Sequence, residues 1–222
     1  MASADRRLRE RAHVQERILA AARDLFAQHG YEAVTLRRIA AAIEYTPAAI
    51  YVHFEDKEDL IRTLCVRDFD ELARTFAGLA PITDARARLE RIAEEYVRFG
   101  LEHPNQYRLM FMNPACVKPD EETLQKKGDP MRDGYSFVRQ AFEQAIVARK
   151  LEPEHTDADL LTQTYWAGLH GLIALEIALA SDPWVAWRDV KARVDLLVRS
   201  QLDAWFLARG ARRPARSRAK RG

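Results

Sequence analysis

The sequence predicts an all-α protein in two parts: an N-terminal three-helix unit followed by a larger helical bundle, about nine helices in all. Three observations predict it. Apolar residues recur at helical spacing along most of the chain, no segment shows the alternation of a strand, and two very short helical pieces sit about three residues apart near the start. With 222 residues, 48% of them hydrophobic and 31% charged, there is ample material for one large or two small cores.

The first helix follows from Val14, Ile18, Ala21, Ala22, Leu25 and Phe26, which keep to one helical face, and Gly30 stands where such a helix stops. Thr35 can cap a second helix over Leu36–Ile43, with Leu36, Ile39, Ala40 and Ile43 turned inward. Thr46 and Pro47 restart the chain as a third, because threonine accepts from the free amides and proline tolerates the first helical position. Asp56 caps a longer helix whose opening acids face the positive end of its dipole, and Leu60, Ile61, Leu64, Cys65, Phe69, Leu72 and Phe76 form its apolar stripe. Beyond Pro81 the pattern predicts helices over 83–100, from Pro104, over 130–150, over 157–180 and over 184–208. Residues 113–129, with Pro114, Pro119 and Gly128, read as the one long loop. The resulting boundaries are 1–55 for the three-helix unit with a basic N-terminal extension, 56–208 for the bundle, and 209–222 for a disordered basic tail.

Composition narrows the function. Cys65 and Cys116 are far apart in sequence and lack metal-binding spacing, so neither a disulfide framework nor a zinc site is expected, and a reducing compartment fits. The start has basic residues without the apolar run of a secretory signal, and Trp166–Ala180 is too short and too polar for a bilayer span, so the expected location is cytoplasmic with no membrane partner. Net charge is +2, but with the seven basic residues of the tail set aside 28 basic residues face 33 acidic ones, a net of −5. Any nucleic-acid affinity must then come from local placement, and Arg6, Arg7, Arg9 and Arg11 supply one cluster. No zinc-protease, nucleophile-elbow, phosphate-loop or Cys-His signature occurs, so the expectation is no enzyme, no metal and no cofactor.

A major-groove reader needs a short helix held across another, with flanking groups that grip phosphates. Residues 35–57 meet that need, and TLRRIAAAIEYTPAAIYVHFEDKEDL, preceded by LFAQHGYEAVTL, resembles the helix-turn-helix of the tetracycline-repressor (TetR) family. The resemblance implies that Thr46, Pro47, Ala48 and Tyr51 face the groove, and that Thr35, Arg37, Tyr51, His53 and Lys57 hold the phosphate backbone of double-stranded operator DNA. Ala49 joins Ala48 as a surface for thymine methyl groups. No Arg, Asn or Gln stands on the recognition helix, so Arg37 and DNA shape are expected to carry much of the discrimination. The turn departs from the family by placing Glu44 where glycine is usual, which predicts local strain.

Two further segments, HPNQYRLMF and YWAGLHGLIALE, are similar to the family's C-terminal regions, the second to the type with a Trp-His-Gly (WHG) pattern. Trp166 and His170 share a helix face, and Tyr96, Phe99, Tyr107, Met110, Phe111, Phe137 and Gln163 are candidates to meet them in an apolar cavity for a small-molecule effector. Leu172, Leu175 and Leu179 on one late helix, with Val194, Leu197, Val198, Leu202 and Trp205 on the next, are the candidate homodimer interface. The expected function is a ligand-responsive repressor that binds a palindromic operator as a dimer and is released by a largely apolar inducer. The alternative is a DNA-binding regulator whose C-terminal half serves only dimerisation or protein contact. Cys116, in the loop, is the better of the two cysteines for a thiol sensor.

Overall fold

The computed structural model describes residues 2–113, 116 and 121–208. Among these the chain forms nine helices of five or more residues: α1 (Ala2–His29), α2 (Leu36–Ala42), α3 (Pro47–Tyr51), α4 (Lys57–Ala77), α5 (Ala85–Glu102), α6 (Pro104–Met112), α8 (Gly134–Val147), α9 (Ala158–Leu179) and α10 (Val190–Trp205), with the single turn α7 (Glu121–Leu124) between α6 and α8. The expected basic tail, 209–222, lies outside the described residues. No described helix is long and apolar enough to cross a membrane.

The short helices start where their caps dictate. The side-chain oxygen of Thr35 accepts from the Arg38 amide, that of Thr46 from the Ala49 amide, and that of Asp56 from the Asp59 amide. Between α2 and α3 the turn closes with Glu44 N–H donating to the Ala41 carbonyl and Tyr45 N–H to the Ala40 carbonyl. This is a Schellman closure whose left-handed position is held by Glu44 at φ +62°, so the expected strain at the glycine position is present.

Two expectations about boundaries are corrected. α10 begins at Val190, not 184: Pro183 interrupts the chain, and Asp189 caps the helix by accepting from the Ala192 amide. The loop after α6 contains α7, and an isolated bridge joins Leu151 to Phe206 where the sequence predicted no strand pairing.

The molecule has two cores. The first takes Ile18, Leu19, Ala22 and Phe26 of α1, Leu36, Ile39 and Ala40 of α2, Ile43 and Phe54 beside the short helices, Ile50 of α3, and Leu60, Ile61, Leu64 and Cys65 of α4. The second gathers Leu72 and Phe76 of α4 with residues of α5, α6, α8, α9 and α10. α4 therefore spans both cores, as its long stripe predicted. So does α6, which contributes Leu109 to the first core and Tyr107 and Met110 to the second. At Gly100 of α5, a Cβ would lie 2.7 Å from Cγ2 of Ile173, so the absence of a side chain sets how closely α9 can approach.

Candidate DNA-reading face and aromatic cluster

The buried side of the helix-turn-helix leaves a continuous outer surface. Thr35, Arg37, Thr46, Pro47, Ala48 and Tyr51 are exposed, and Ala49, His53 and Lys57 are half-buried. An exposed tyrosine, 58% accessible, is an unusual choice for a residue with no role at the surface. Thr35 and Thr46 each spend an acceptor on a helix cap, leaving the hydroxyl hydrogen of each free to donate. Lys57 is tied inward: Nζ donates to the Tyr31 carbonyl at 2.5 Å and lies 3.8 Å from the Tyr31 ring centre. Desolvation lowers its pKa. Its first task in this structure is to hold the start of α4 against the end of α1.

Two arginines of α1 brace this surface, and sequence reasoning had missed one of them. Arg17 donates to the Ile43 carbonyl at 3.0 Å and stacks over Tyr45, 5.1 Å from the ring centre, so it clamps the turn. Arg11 donates to the Val52 carbonyl at 3.3 Å, just past α3. Burial first, and the Arg11 charge second, depress the pKa of His53. The contact brings the basic N-terminal turns of α1, with exposed Arg6, Arg7 and Arg9, alongside the outer end of α3. No periodicity in the sequence signals Arg17, because its partners are a carbonyl and a ring brought near by the fold.

In the second half, five of the nine candidate effector residues converge. Tyr96, Tyr107, Phe111, Trp166 and His170 form one aromatic cluster, with Phe111 4.7 Å from the Tyr107 ring and 6.0 Å from that of Trp166. Phe69 of α4 extends it, edge-on to Phe111 at 5.4 Å. Trp166 Nε1 donates to the Tyr96 hydroxyl (2.8 Å), that hydroxyl lies 2.9 Å from the Tyr107 hydroxyl, and the latter lies 2.6 Å from His170 Nδ1. Indole can only donate, so every proton in the chain is used when Tyr96 donates to Tyr107 and Tyr107 to Nδ1. His170 then carries its proton on Nε2, and burial, which lowers its pKa, favours that neutral form. Burial pushes the Tyr96 phenol up to about 12 and raises Tyr107 as well.

The other four candidates go elsewhere. Phe137 is a correction: it is buried against Phe76 and the Arg88 guanidinium, because α8 turns it toward α4 and α5. Phe99 meets His103, Gln163 donates to the Tyr135 hydroxyl at 3.2 Å, and Met110 fills the second core. The expected cavity is also corrected, since the rings fill their own space. The surface recesses lie apart from them, one of about 430 Å³ lined by Arg86, Glu90, Glu152, Asp203 and Phe206, the other of about 330 Å³ lined by Asp70, Arg74, Lys126 and Arg132.

The candidate interface residues divide as well. Val194, Val198 and Leu202 are buried in the chain's own core, so they are corrected from partner contacts to core residues; Leu172, Leu197 and Trp205 pack against that core. Leu175 and Leu179 remain exposed, at 46% and 40%, and sequence reasoning missed Leu196 of α10, exposed at 64%. Cys65 and Cys116 are paired in a disulfide, with Cα atoms 5.8 Å apart. The expectation of no disulfide is overturned because the fold, not the spacing, brings α4 and the segment after α6 together. Among the described residues no group of three His, Cys, Asp or Glu side chains could hold a metal ion.

A helix-turn-helix whose outer face is uncovered, joined by two shared helices to a helical bundle with an internal aromatic cluster, defines a two-part helical regulator fold. Residues 18–64 match the profile of the bacterial regulatory proteins of the tetR family, and residues 89–200 that of the tetracyclin repressor-like C-terminal domain. The chain belongs to the tetR family. It is 40% identical over 80 residues to the HTH-type transcriptional repressor AcnR of Corynebacterium diphtheriae, covering 35% of this chain and 42% of AcnR. With the HTH-type transcriptional activator FasR of Mycolicibacterium smegmatis it shares 33% identity over 104 residues, 46% of this chain and 47% of FasR. These matches thus span less than half the length of either relative. Among solved structures, a protein of unknown function from Rhodococcus sp. RHA1 superposes with a TM-score of 0.71 at 21% identity, over 87% of this chain and 95% of that one. FadR from Bacillus subtilis in complex with stearoyl-CoA gives a TM-score of 0.67 at 15% identity, over 85% of this chain and 98% of FadR. Both share the fold.

Proposed function

We propose that this chain is a transcriptional repressor that binds palindromic operator DNA as a homodimer and is released by a small, largely apolar effector. The observation that carries the DNA reading is the uncovered face of Arg37, Thr46, Pro47, Ala48 and Tyr51 on a helix-turn-helix whose opposite side is wholly buried. Its reading helix lacks long polar side chains, so Arg37 and DNA shape supply the discrimination, while Thr35, Tyr51 and His53 fix the phosphate register. Lys57 contributes mainly by orienting α4.

Leu175 and Leu179 on α9 and Leu196 on α10 support a partner copy docked on this exposed side, which would set two readers on one duplex. The effector reading rests on the aromatic cluster and on the likeness to FadR, a protein solved with a long-chain acyl-CoA. Trp166, 42% exposed, and Phe111 are the rings an apolar chain would displace, and His170 Nε2–H is a donor for its carbonyl. Movement of Phe111 is movement of α6, which reaches the reader core through Leu109, so the effector and DNA favour different α4–α6 arrangements.

The test is to enrich genomic fragments on the full-length protein, then titrate fatty acids, acyl-CoA esters and small aromatic acids against the bound duplex. Release by one class, with matching thermal stabilisation of the free protein, is the expected result. The close packing of the cluster favours a second reading, a dimeric DNA-binding protein without an effector. Tight fragment binding that no compound class weakens would select that reading.

A further inference from the structure

Outside the reader face and the aromatic cluster, the feature with chemistry of its own is the cysteine pair. Cys65 is buried in the reader core on α4, and Cys116, beyond the end of α6, is half-buried against that same core. Their Cα separation of 5.8 Å lies in the ordinary range for a disulfide, so the bond can open and close without moving the backbone. We propose that Cys65 and Cys116 are a reversible oxidation site, closed by a peroxide and opened by a dithiol, that fastens α6 to α4 and thereby regulates the reader.

Three observations carry this. The bond spans 51 residues of sequence, so it ties together elements that are otherwise held only by packing. Its ends lie on or next to the two helices shared by both cores: α4 carries Cys65 between Leu64 and the body residues Leu72 and Phe76, while Cys116 lies five residues past Phe111 of the aromatic cluster. The two sulfurs also differ in access, as a sensor requires, since a half-buried thiol can meet an oxidant while its buried partner resolves the product. A DNA-binding regulator works among thiol reductants, where a bonded pair is usually a transient, redox-sensing one. The proposal rests on the DNA-binding reading above.

The chemistry balances with a peroxide as the named oxidant. The Cys116 thiolate attacks one peroxide oxygen, the O–O bond breaks, and hydroxide leaves, giving a sulfenic acid. The Cys65 sulfur then attacks the Cys116 sulfur, the S–O bond breaks, and a second water forms with the Cys65 proton. Two thiols lose two electrons, and one hydrogen peroxide becomes two waters. A dithiol reverses the bond by two exchange steps and leaves as its own disulfide.

The experiment uses the full-length protein, reduced with dithiothreitol, desalted and then given stoichiometric hydrogen peroxide. Peptide mapping, hydrogen exchange over residues 104–113, and affinity for a duplex enriched from a random-sequence pool by the reduced protein are measured before and after. Expected are a single Cys65–Cys116 linked peptide, slower exchange over α6 and at least a fivefold change in duplex affinity, all reversed by dithiothreitol and absent in Cys116→Ser. Oxidation that yields only chain-to-chain links or a Cys116 sulfinic acid overturns the proposal, as does a Cys65–Cys116 bond that leaves exchange and affinity unchanged. If the reduced protein enriches no duplex, the DNA-binding reading fails, and mapping with exchange still decides whether α6 is fastened.

Discussion

The Tyr107 hydroxyl lies 2.6 Å from Nδ1 of His170, and this contact fixes the imidazole with its proton outward on Nε2. Tyr107→Phe leaves the Tyr96 hydroxyl and His170 Nδ1 unpartnered in a buried cluster, an expected loss of about 1–3 kcal/mol by urea unfolding. Because burial lowers the His170 pKa in the folded state, its contribution to stability is full above the unfolded value of about 6.5 and is lost as pH falls through the folded value. His170→Asn retains an acceptor for Tyr107 and removes the titration, so stability measured between pH 7.5 and 5 should fall less steeply than in the parent. His53, also depressed, keeps a residual slope in both proteins. An unchanged slope in His170→Asn contradicts the assignment.

Arg23 of α1 donates to Asp68 of α4 at 2.7 Å, and the Asp68 side chain is only 2% exposed. Geometry alone suggests a strong ion pair, yet burial raises the Asp68 pKa against the opposing pull of Arg23 and Gln106. The two observations agree once desolvation is given the larger weight: the pair adds little net stability, but removing one member strands a buried carboxylate. Arg23 is 37% exposed, so solvent screens part of that loss, and Arg23→Ala should cost about 2 kcal/mol. Adding Asp68→Asn should recover roughly half of it, because the stranded charge is gone. Equal losses in the single and double variants, by denaturant unfolding, would rule this out.

Glu44 holds a left-handed backbone conformation in the turn between α2 and α3. Glycine adopts it without a Cβ penalty, at the cost of a more flexible unfolded chain, so Glu44→Gly should raise stability by about 0.5–1 kcal/mol. A lowered melting temperature for that variant would mean that the Glu44 side chain itself contributes to the turn.

Arg11 anchors the N-terminal turns of α1 beside the end of α3, leaving Arg6, Arg7 and Arg9 exposed near the reader. Replacing all four by glutamine should reduce the slope of log affinity against log salt by about 2, since each lost phosphate contact removes about 0.9. The specificity ratio between an enriched duplex and a scrambled one should stay nearly constant, because phosphate contacts carry no base information. A parent slope retained by the variant would remove the N-terminal turns from the interface.

Legibility in the sequence followed the range of the interactions. Thr35, Thr46, Asp56 and Gly30 act on amides or on backbone within a few residues, and the helix starts they predict are the ones observed. The apolar stripe of α4 was legible for the same reason, since helical spacing is local. The failures are long-range. The Cys65–Cys116 pairing, the Arg17 clamp on the turn and the Arg23–Asp68 contact each join residues that only the fold brings together. In the aromatic cluster, residue type singled out Tyr96, Tyr107, Phe111, Trp166 and His170, but nothing in periodicity could separate them from Phe137, which faces α4 and α5. The stripe on α10 likewise showed that the helix was amphipathic without showing which side the chain itself covers, so inward Val194, Val198 and Leu202 were taken for a partner surface and outward Leu196 was missed.

The most direct measurement is the affinity of an enriched genomic duplex for the parent protein and for Arg37→Ala and Tyr51→Ala. Both side chains are exposed, so neither change should move the melting temperature appreciably. At fixed salt, each variant is expected to bind at least tenfold more weakly, with Arg37→Ala also losing discrimination against a scrambled duplex. Parent-like affinity in both variants, with folding intact, would contradict the placement of the DNA-reading face.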